Sequence, residues 1–286
     1  MLQLENLSLK DGSTMPRLGL GTWFLGEQFR YQSRELQAVK RGLEQGIRMI
    51  DTAEMYGDGG AETIVGKAIQ DVDRTQLYLV SKVYPHNAGE GKIVKSCTET
   101  LERLGTKYLD LYLLHWRGGV PLQETVEGME ALVARGKIKR WGVSNFDLAD
   151  MEALFSVKGG DKCSVNQVMY HLGSRGIEHS LLPWMKAHGV ALMAYSPLAQ
   201  GGALKKELVS HPVILSVCAR NRINFHQLML LFALRDPYTA AIPRTSNPVH
   251  VDDLIKGLYV KLSDEDWARL DEAFPPPVKK VPLDVI

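Results

Sequence analysis

Three cysteines in 286 residues, Cys97, Cys163 and Cys218, are too few and too scattered for a disulfide framework, and with no CxxC pair they offer no zinc site. That usage suits a reducing compartment, and a cytoplasmic protein is expected. Charge of either sign is not in excess. Lys and Arg total 34 against 33 Asp and Glu, a net +1, so no global field draws nucleic acid or an anionic membrane, and neither is expected as a partner. Long hydrophobic runs are missing, as is a basic-then-apolar leader at Met1–Glu5, so neither a membrane span nor export is expected. A dinucleotide fingerprint fails as well: Gly19 and Gly21 have the right spacing, but Phe24 stands where the third glycine should be, which rejects a Rossmann site there.

What is present is alternation. Weakly alternating residues around Asp11-Gly12 predict a β-hairpin over 4–16, a cap (1–16) ahead of the main fold. A strand over 17–22 follows, then a helix over 35–44 with Ser33 as N-cap and Gly46 as its stop. Strands are then expected at 47–51, 77–81, 108–114, 138–143, 164–167, 190–194 and 239–242. Helices are expected at 61–69, 91–104, 122–134, 148–155, 178–187, 225–234 and 251–258. Eight short apolar strands, each followed by a helix, predict an α/β fold, specifically a closed (β/α)8 barrel in one domain spanning 1–286. Two segments break the pattern: a glycine-containing insertion over 197–215 and a proline-rich tail over 275–286. Both are candidates for covering the active face.

The strand ends are polar. In a barrel all C-terminal strand ends share one face, where active sites form. There the sequence places Thr22, Asp51 with Tyr56 just beyond it, Lys82, His115, Ser144-Asn145, Gln167, Tyr195 and Arg244. Each has a plain structural explanation, such as an ion pair for Asp51 or a satisfied core position for His115, but eight together make one site. Tyr ionises near ~10 and gives up its proton poorly at neutral pH unless a cation lowers that value. Lys82 can supply the cation, Asp51 can hold Lys82, and a neutral His115 can donate to a carbonyl oxygen. With no metal-ligand spacing, and no Ser or Cys nucleophile beside a base, this equipment suits hydride addition to a carbonyl from a nicotinamide.

Six stretches resemble the aldo-keto reductases: Asp51-Thr52-Ala53 with Tyr56, Ser81-Lys82, Leu114-His115-Trp116, Gly142 to Phe146, Val165-Asn166-Gln167, and Ala194 to Leu198. They occur in the right order between about Gly19 and Leu254. Asp51 to Glu62 looks most like prokaryotic small-aldehyde reductases of the methylglyoxal type. The resemblance implies an NADPH-dependent reductase working as a monomer on small carbonyl substrates, with Tyr56 as general acid, Lys82 and Asp51 tuning it, and His115 orienting the carbonyl. It further implies that Tyr195 stacks on the nicotinamide while Ser144, Asn145 and Gln167 bind its carboxamide. Gly21 and Thr22 would lie along the cofactor, and Ser196, Leu198, Gln200 and Gly201 would meet the pyrophosphate. Pro243, Arg244, Thr245, Ser246, His250 and Asp253 would surround the adenosine end, and Trp23, Trp116 and Tyr84 would wall the substrate pocket.

One departure matters. His250 stands where the family usually has an arginine on the adenosine 2′-phosphate; it carries no permanent charge and clamps less well. NADP preference is therefore expected to be weakened, with NADH tolerated. Two rival readings keep the fold but change the role: a nicotinamide-binding regulatory barrel with little turnover, or a lyase using Lys82 as a Schiff base.

Overall fold

The computed structural model describes residues 6–89, 91–199 and 203–286. Its first element is an antiparallel ribbon, β1 (Leu7–Ser8) with β2 (Thr14–Met15). The Asp11-Gly12 turn forms as expected: Gly12 takes φ 81°, where a side chain would be strained, and the Asp11 carboxylate accepts from the Ser13 N–H at 2.9 Å. Leu4 lies outside the described residues.

Eight parallel strands follow: β3 (Gly19–Gly21), β4 (Met49–Asp51), β5 (Tyr78–Val83), β6 (Leu111–Leu114), β7 (Trp141–Ser144), β8 (Val165–Met169), β9 (Ala191–Tyr195) and β10 (Thr239–Ala241). Each bonds to the next in chain order, and bridges Leu18–Ala241 and Gly21–Arg244 join first to last, closing the barrel. Closure demands close approach: a Cβ on Gly21 would sit 2.8 Å from the Ile242 carbonyl oxygen. The strands are buried almost throughout, which is why they read as apolar runs rather than as alternating faces. Met49, Tyr78, Leu111, Val165 and Ala191, the first residues of their strands, pack with Leu7, Leu9 and Met15 in one cluster. The ribbon therefore stops the end of the barrel opposite the polar strand ends.

Helices α1 (Gln32–Glu44), α2 (Gly60–Ile69), α3 (Lys92–Leu104), α4 (Leu122–Ala134), α5 (Leu148–Phe155) and α6 (Leu181–Ala187) each follow one strand. The insertion over 197–215, given no secondary structure from the sequence, carries α7 (Ala203–Ser210) and the start of α8 (Pro212–Asn221). Pro212 stands at the first position of α8, where a missing N–H costs nothing, so the proline starts a helix rather than preventing one. After α9 (Phe225–Ala233) and β10 come α10 (Pro248–Gly257) and α11 (Asp264–Ala273). Helix α10 packs on α1 and α9, completing the outer ring.

Other expectations need correction. Ser33 is not an N-cap: α1 begins at Gln32, behind a 3-10 turn over Phe29–Tyr31, and has no side-chain cap. The helix expected over 178–187 is a 3-10 turn (Gly176–Glu178) followed by the shorter α6. Helix α11 was not anticipated, although Ser263 followed by Asp264, Glu265 and Asp266 is a strong start signal. The Ser263 hydroxyl accepts from the Asp266 N–H at 3.1 Å.

Candidate active site

The loop leaving β4 is fixed at both ends before it presents any chemistry. The buried Glu54 carboxylate accepts from the Tyr84 N–H at 2.7 Å, Asn87 Nδ2 at 3.1 Å and Ser96 Oγ at 2.6 Å. Glu62, fully buried in the first turn of α2, accepts from Ser81 Oγ and Arg103 Nε, each at 2.6 Å. Between them Gly60 runs backbone to backbone against Gly26; a Cβ on Gly26 would meet the Gly60 carbonyl carbon at 2.4 Å. This double clamp holds Tyr56 over the barrel mouth.

Lys82 is wholly buried and gives its three ammonium hydrogens to three acceptors: Asp51 Oδ2 at 2.7 Å, the Thr52 carbonyl at 3.0 Å and Tyr56 Oη at 3.0 Å. Burial opposes the charged ammonium, but Asp51 and Tyr56 outweigh it, and the Lys82 value rises. A charged, inaccessible lysine cannot act as an amine nucleophile, so the Schiff-base reading fails. Burial also raises the Tyr56 phenol above its ordinary value, while Lys82 pulls it down. The expected influence of Lys82 is present, but desolvation exceeds it, so the phenol stays protonated and able to donate.

His115 packs edge-on against Tyr56, ring centroids 5.6 Å apart. Burial, then repulsion by Lys82, lowers its pKa to about 2, so the ring is neutral. Its Nδ1 is buried without a partner, leaving Nε2 as the nitrogen that can serve a ligand in the cavity.

The polar side chains beside this group bind one another. Gln167 Nε2 donates to Asp51 Oδ1 at 2.7 Å, Ser144 Oγ to the Gln167 carbonyl at 2.8 Å, and Asn145 Nδ2 to the His115 carbonyl at 3.1 Å. Tyr195 Oη donates to Asn145 Oδ1 at 2.9 Å. Gln167 lies inside β8 rather than at its end, yet its side chain reaches the aspartate. Phe24, Asp58, Asn145, Ser196 and Ala199 all take left-handed φ between 48° and 67°, without being glycine. Arg222 is the one other described non-glycine residue to do so, so backbone strain gathers around this mouth.

A cavity of about 510 Å³ opens here. Of the residues singled out from sequence it takes in Asp51, Tyr56 and His115, then Gly21, Thr22, Trp23, Ser144, Asn145, Gln167, Tyr195, Ser196 and Leu198. At its far end it reaches Arg244, Thr245, His250 and Asp253. Pro243 and Ser246 are not among its walls, and Lys82 lies behind them. Tyr84 and Trp116 are also outside the lining; they meet edge to face at 5.8 Å, with Trp116 4.9 Å from His115, so the aromatic wall expected from them is a lip beside the site. Gln200 and Gly201 fall outside the described residues. Phe24, Lys205, His226, Ile242, Leu254 and Ile286 line the cavity but were not foreseen. Of these, Lys205 lies in the insertion over 197–215, which the sequence marks only as a break in the alternation. The tail does reach the active face, with Asp284 accepting from Ser174 Oγ and Ile286 in the cavity wall. No group of three or more metal-ligating side chains occurs among the described residues.

A closed parallel barrel whose strand ends bring together a buried Asp-Lys-Tyr chain and a neutral histidine defines an oxidoreductase of carbonyl groups. The aldo/keto reductase family model matches residues 17–274, and the chain belongs to that family. It is 45% identical over 285 residues, covering all of both chains, to methylglyoxal reductase YeaE of Escherichia coli. It is also 31% identical over 270 residues to the glyoxal reductase of Bacillus subtilis, covering 93% of this chain and 92% of that one. In three dimensions it resembles an aldo/keto reductase from Klebsiella pneumoniae crystallised with NADP and acetate. The TM-score is 0.94 and the identity 47%, over 99% of this chain and 100% of the other.

Proposed function

We propose that the protein is an NADPH-dependent reductase that converts small aldehydes, including ketoaldehydes of the methylglyoxal kind, to alcohols, with Tyr56 as the proton donor. The observation that carries this is Lys82 held between Asp51 and Tyr56, with a neutral His115 against the same phenol. The cavity suits the cofactor: it runs from amide donors and acceptors at the deep end to cationic side chains at the far end. Bound there, NADPH supplies the hydride. Tyr56 Oη holds the proton destined for the carbonyl oxygen, and Lys82 at 3.0 Å stabilises the phenolate left behind. Asp51 keeps Lys82 charged and in place; His115 Nε2–H donates to the same oxygen and orients the carbonyl. Ser144, Asn145, Gln167 and Tyr195 shape the deep end, and Trp23 bounds the substrate.

The relatives named for methylglyoxal and glyoxal reduction support a small, oxidised substrate. We also propose a single-domain monomer working in the cytoplasm; three scattered cysteines suit a reducing compartment, one family model spans residues 17–274, and no described helix is long and apolar enough to cross a membrane. The test follows NADPH oxidation with purified enzyme against short aldehydes, ketoaldehydes, ketones and sugars. Turnover concentrated on the small aldehydes is expected; an inert enzyme that still binds NADPH would favour the regulatory reading.

A further inference from the structure

We propose that Lys205 and His226 form a second wall of the phosphate clamp opposite Arg244 and Thr245, and that His226 makes the grip on the 2′-phosphate of NADP(H) depend on proton uptake. This rests on the reading that NADP(H) occupies the cavity. Lys205 comes from α7, His226 from α9, His250 from α10, and Arg244 with Thr245 from the loop after β10; all five line the same cavity, and His226 feels the charge of Lys205 and His250. Arg244 gives Nε to the Trp23 carbonyl at 2.9 Å, with Phe24 5.9 Å beneath its guanidinium, which fixes it as a platform. Thr245 Oγ1 lies 3.4 Å from His250 Nδ1. Lys205, His226 and His250 form no ion pair among the described residues.

The carboxylates facing this group do not neutralise it. Asp253 lines the cavity but accepts from Asn224 Nδ2 and Gln227 Nε2. Glu35 accepts from the Gly26 N–H at 3.0 Å, and Glu27 is exposed. Both influence Arg244 and neither pairs with it. Arg244, Lys205 and two histidines therefore share this lining with one nearby carboxylate, Asp253, and form no ion pair with it among the described residues. Burial, then Lys205 and His250, hold His226 below the usual histidine value, with Asp253 opposing, and burial lowers Lys205. A phosphate dianion reverses the balance by favouring the protonated ring. Binding then takes up a proton and tightens as pH falls from 8 toward 6; below about 6 the phosphate itself protonates and the gain levels off. Lys205 supplies a fixed charge that His250 does not. A cofactor without that phosphate has nothing to couple to.

The test measures dissociation constants by quenching of intrinsic tryptophan fluorescence, for NADPH, NADH and 2′-AMP at pH 6 and pH 8. NADPH and 2′-AMP are expected to bind roughly tenfold more tightly at pH 6, and NADH to change less than about twofold. His226→Gln should flatten the NADPH slope, and Lys205→Met should weaken NADPH at both pH values. Calorimetry in buffers of different ionisation enthalpy should show proton uptake with NADPH and not with NADH. Parallel pH responses for NADPH and NADH, or an undiminished slope in His226→Gln, would overturn the clamp while leaving the cofactor reading intact. Failure of both dinucleotides to bind at either pH would overturn both.

Discussion

The two ends of the cavity are built on opposite plans. At the deep end Asp51, Lys82 and Gln167 are at most 2% exposed, come from strands, and satisfy one another before any ligand arrives. At the far end Lys205, His226 and His250 come from helices, are half-buried or exposed, and form no ion pair among the described residues. Proton transfer needs a fixed geometry and a dry environment, so its groups are tied to the barrel. Phosphate recognition, the role proposed for the far end, needs charge that an anion can complete. If this contrast is correct, changes at the deep end will cost catalysis and stability together, whereas changes at the far end will cost affinity alone.

Removing the phenol should have the largest effect. Tyr56→Phe is expected to lower kcat about a thousandfold, within the usual range for a lost general acid, while the dissociation constant for NADPH barely moves. Single-turnover reduction of methylglyoxal with a parallel fluorescence titration checks both halves; retained turnover would take the proton away from Tyr56. Next comes the ion pair. Lys82→Met leaves Asp51 buried and uncompensated, and should cost about 3–5 kcal/mol in urea unfolding. Adding Asp51→Asn to the same chain should restore much of that stability but none of the activity, because the charge cost is relieved and the phenol still lacks its cation.

How much of this the sequence revealed divides along the same line. Asp51, Tyr56, Lys82 and His115 were legible because register dictates them: a closed parallel barrel sends every strand end to one face, so eight polar endings imply one site. Lys205 and His226 were not, because nothing in local spacing says which turn of a peripheral helix leans over the mouth. The stretch after Pro197 shows in sequence only as an insertion that breaks the strand–helix alternation, and packing of α8 against α7, α9 and α11 is what reveals its helices. Trp116 and Tyr84 stand beyond strand ends as their register dictates, beside His115 but not among the side chains lining the cavity.

Histidines give a finer test of dry against wet. His115 and His171 are buried, with pKa values lowered to about 2 and about 4, first by burial. Both values lie below that of the unfolded chain, about 6.5. As pH falls below 6.5 the unfolded chain therefore takes up protons that the folded chain refuses, and stability declines, for His171 through a window closing near pH 4. His171→Asn should remove acid sensitivity on the order of 3 kcal/mol between pH 6.5 and pH 4, read from urea midpoints. In NMR titration the His115 and His171 rings should show no transition near 6.5; a transition there would place water where the fold has none.

The smallest effect belongs to the segment that touches both plans. Asp284 accepts from Ser174 Oγ on an exposed stretch, yet two residues on, Ile286 lies in the cavity wall that Tyr195 also lines. That hydrogen bond, together with Leu283 packed on the core and Lys280 3.5 Å from Asp147, places an apolar side chain in the cavity wall. Asp284→Ala should cost about 1 kcal/mol of tail docking, a roughly fivefold rise in KM for short aldehydes. The value of kcat should hold, because Tyr56, Lys82 and His115 do not depend on the tail for their contacts. NADPH affinity should hold as well, since the clamp lies at the other end. A fall in kcat equal to the rise in KM would mean that the tail acts on the proton donor itself, and the separation between a rigid deep end and an adjustable rim would not stand.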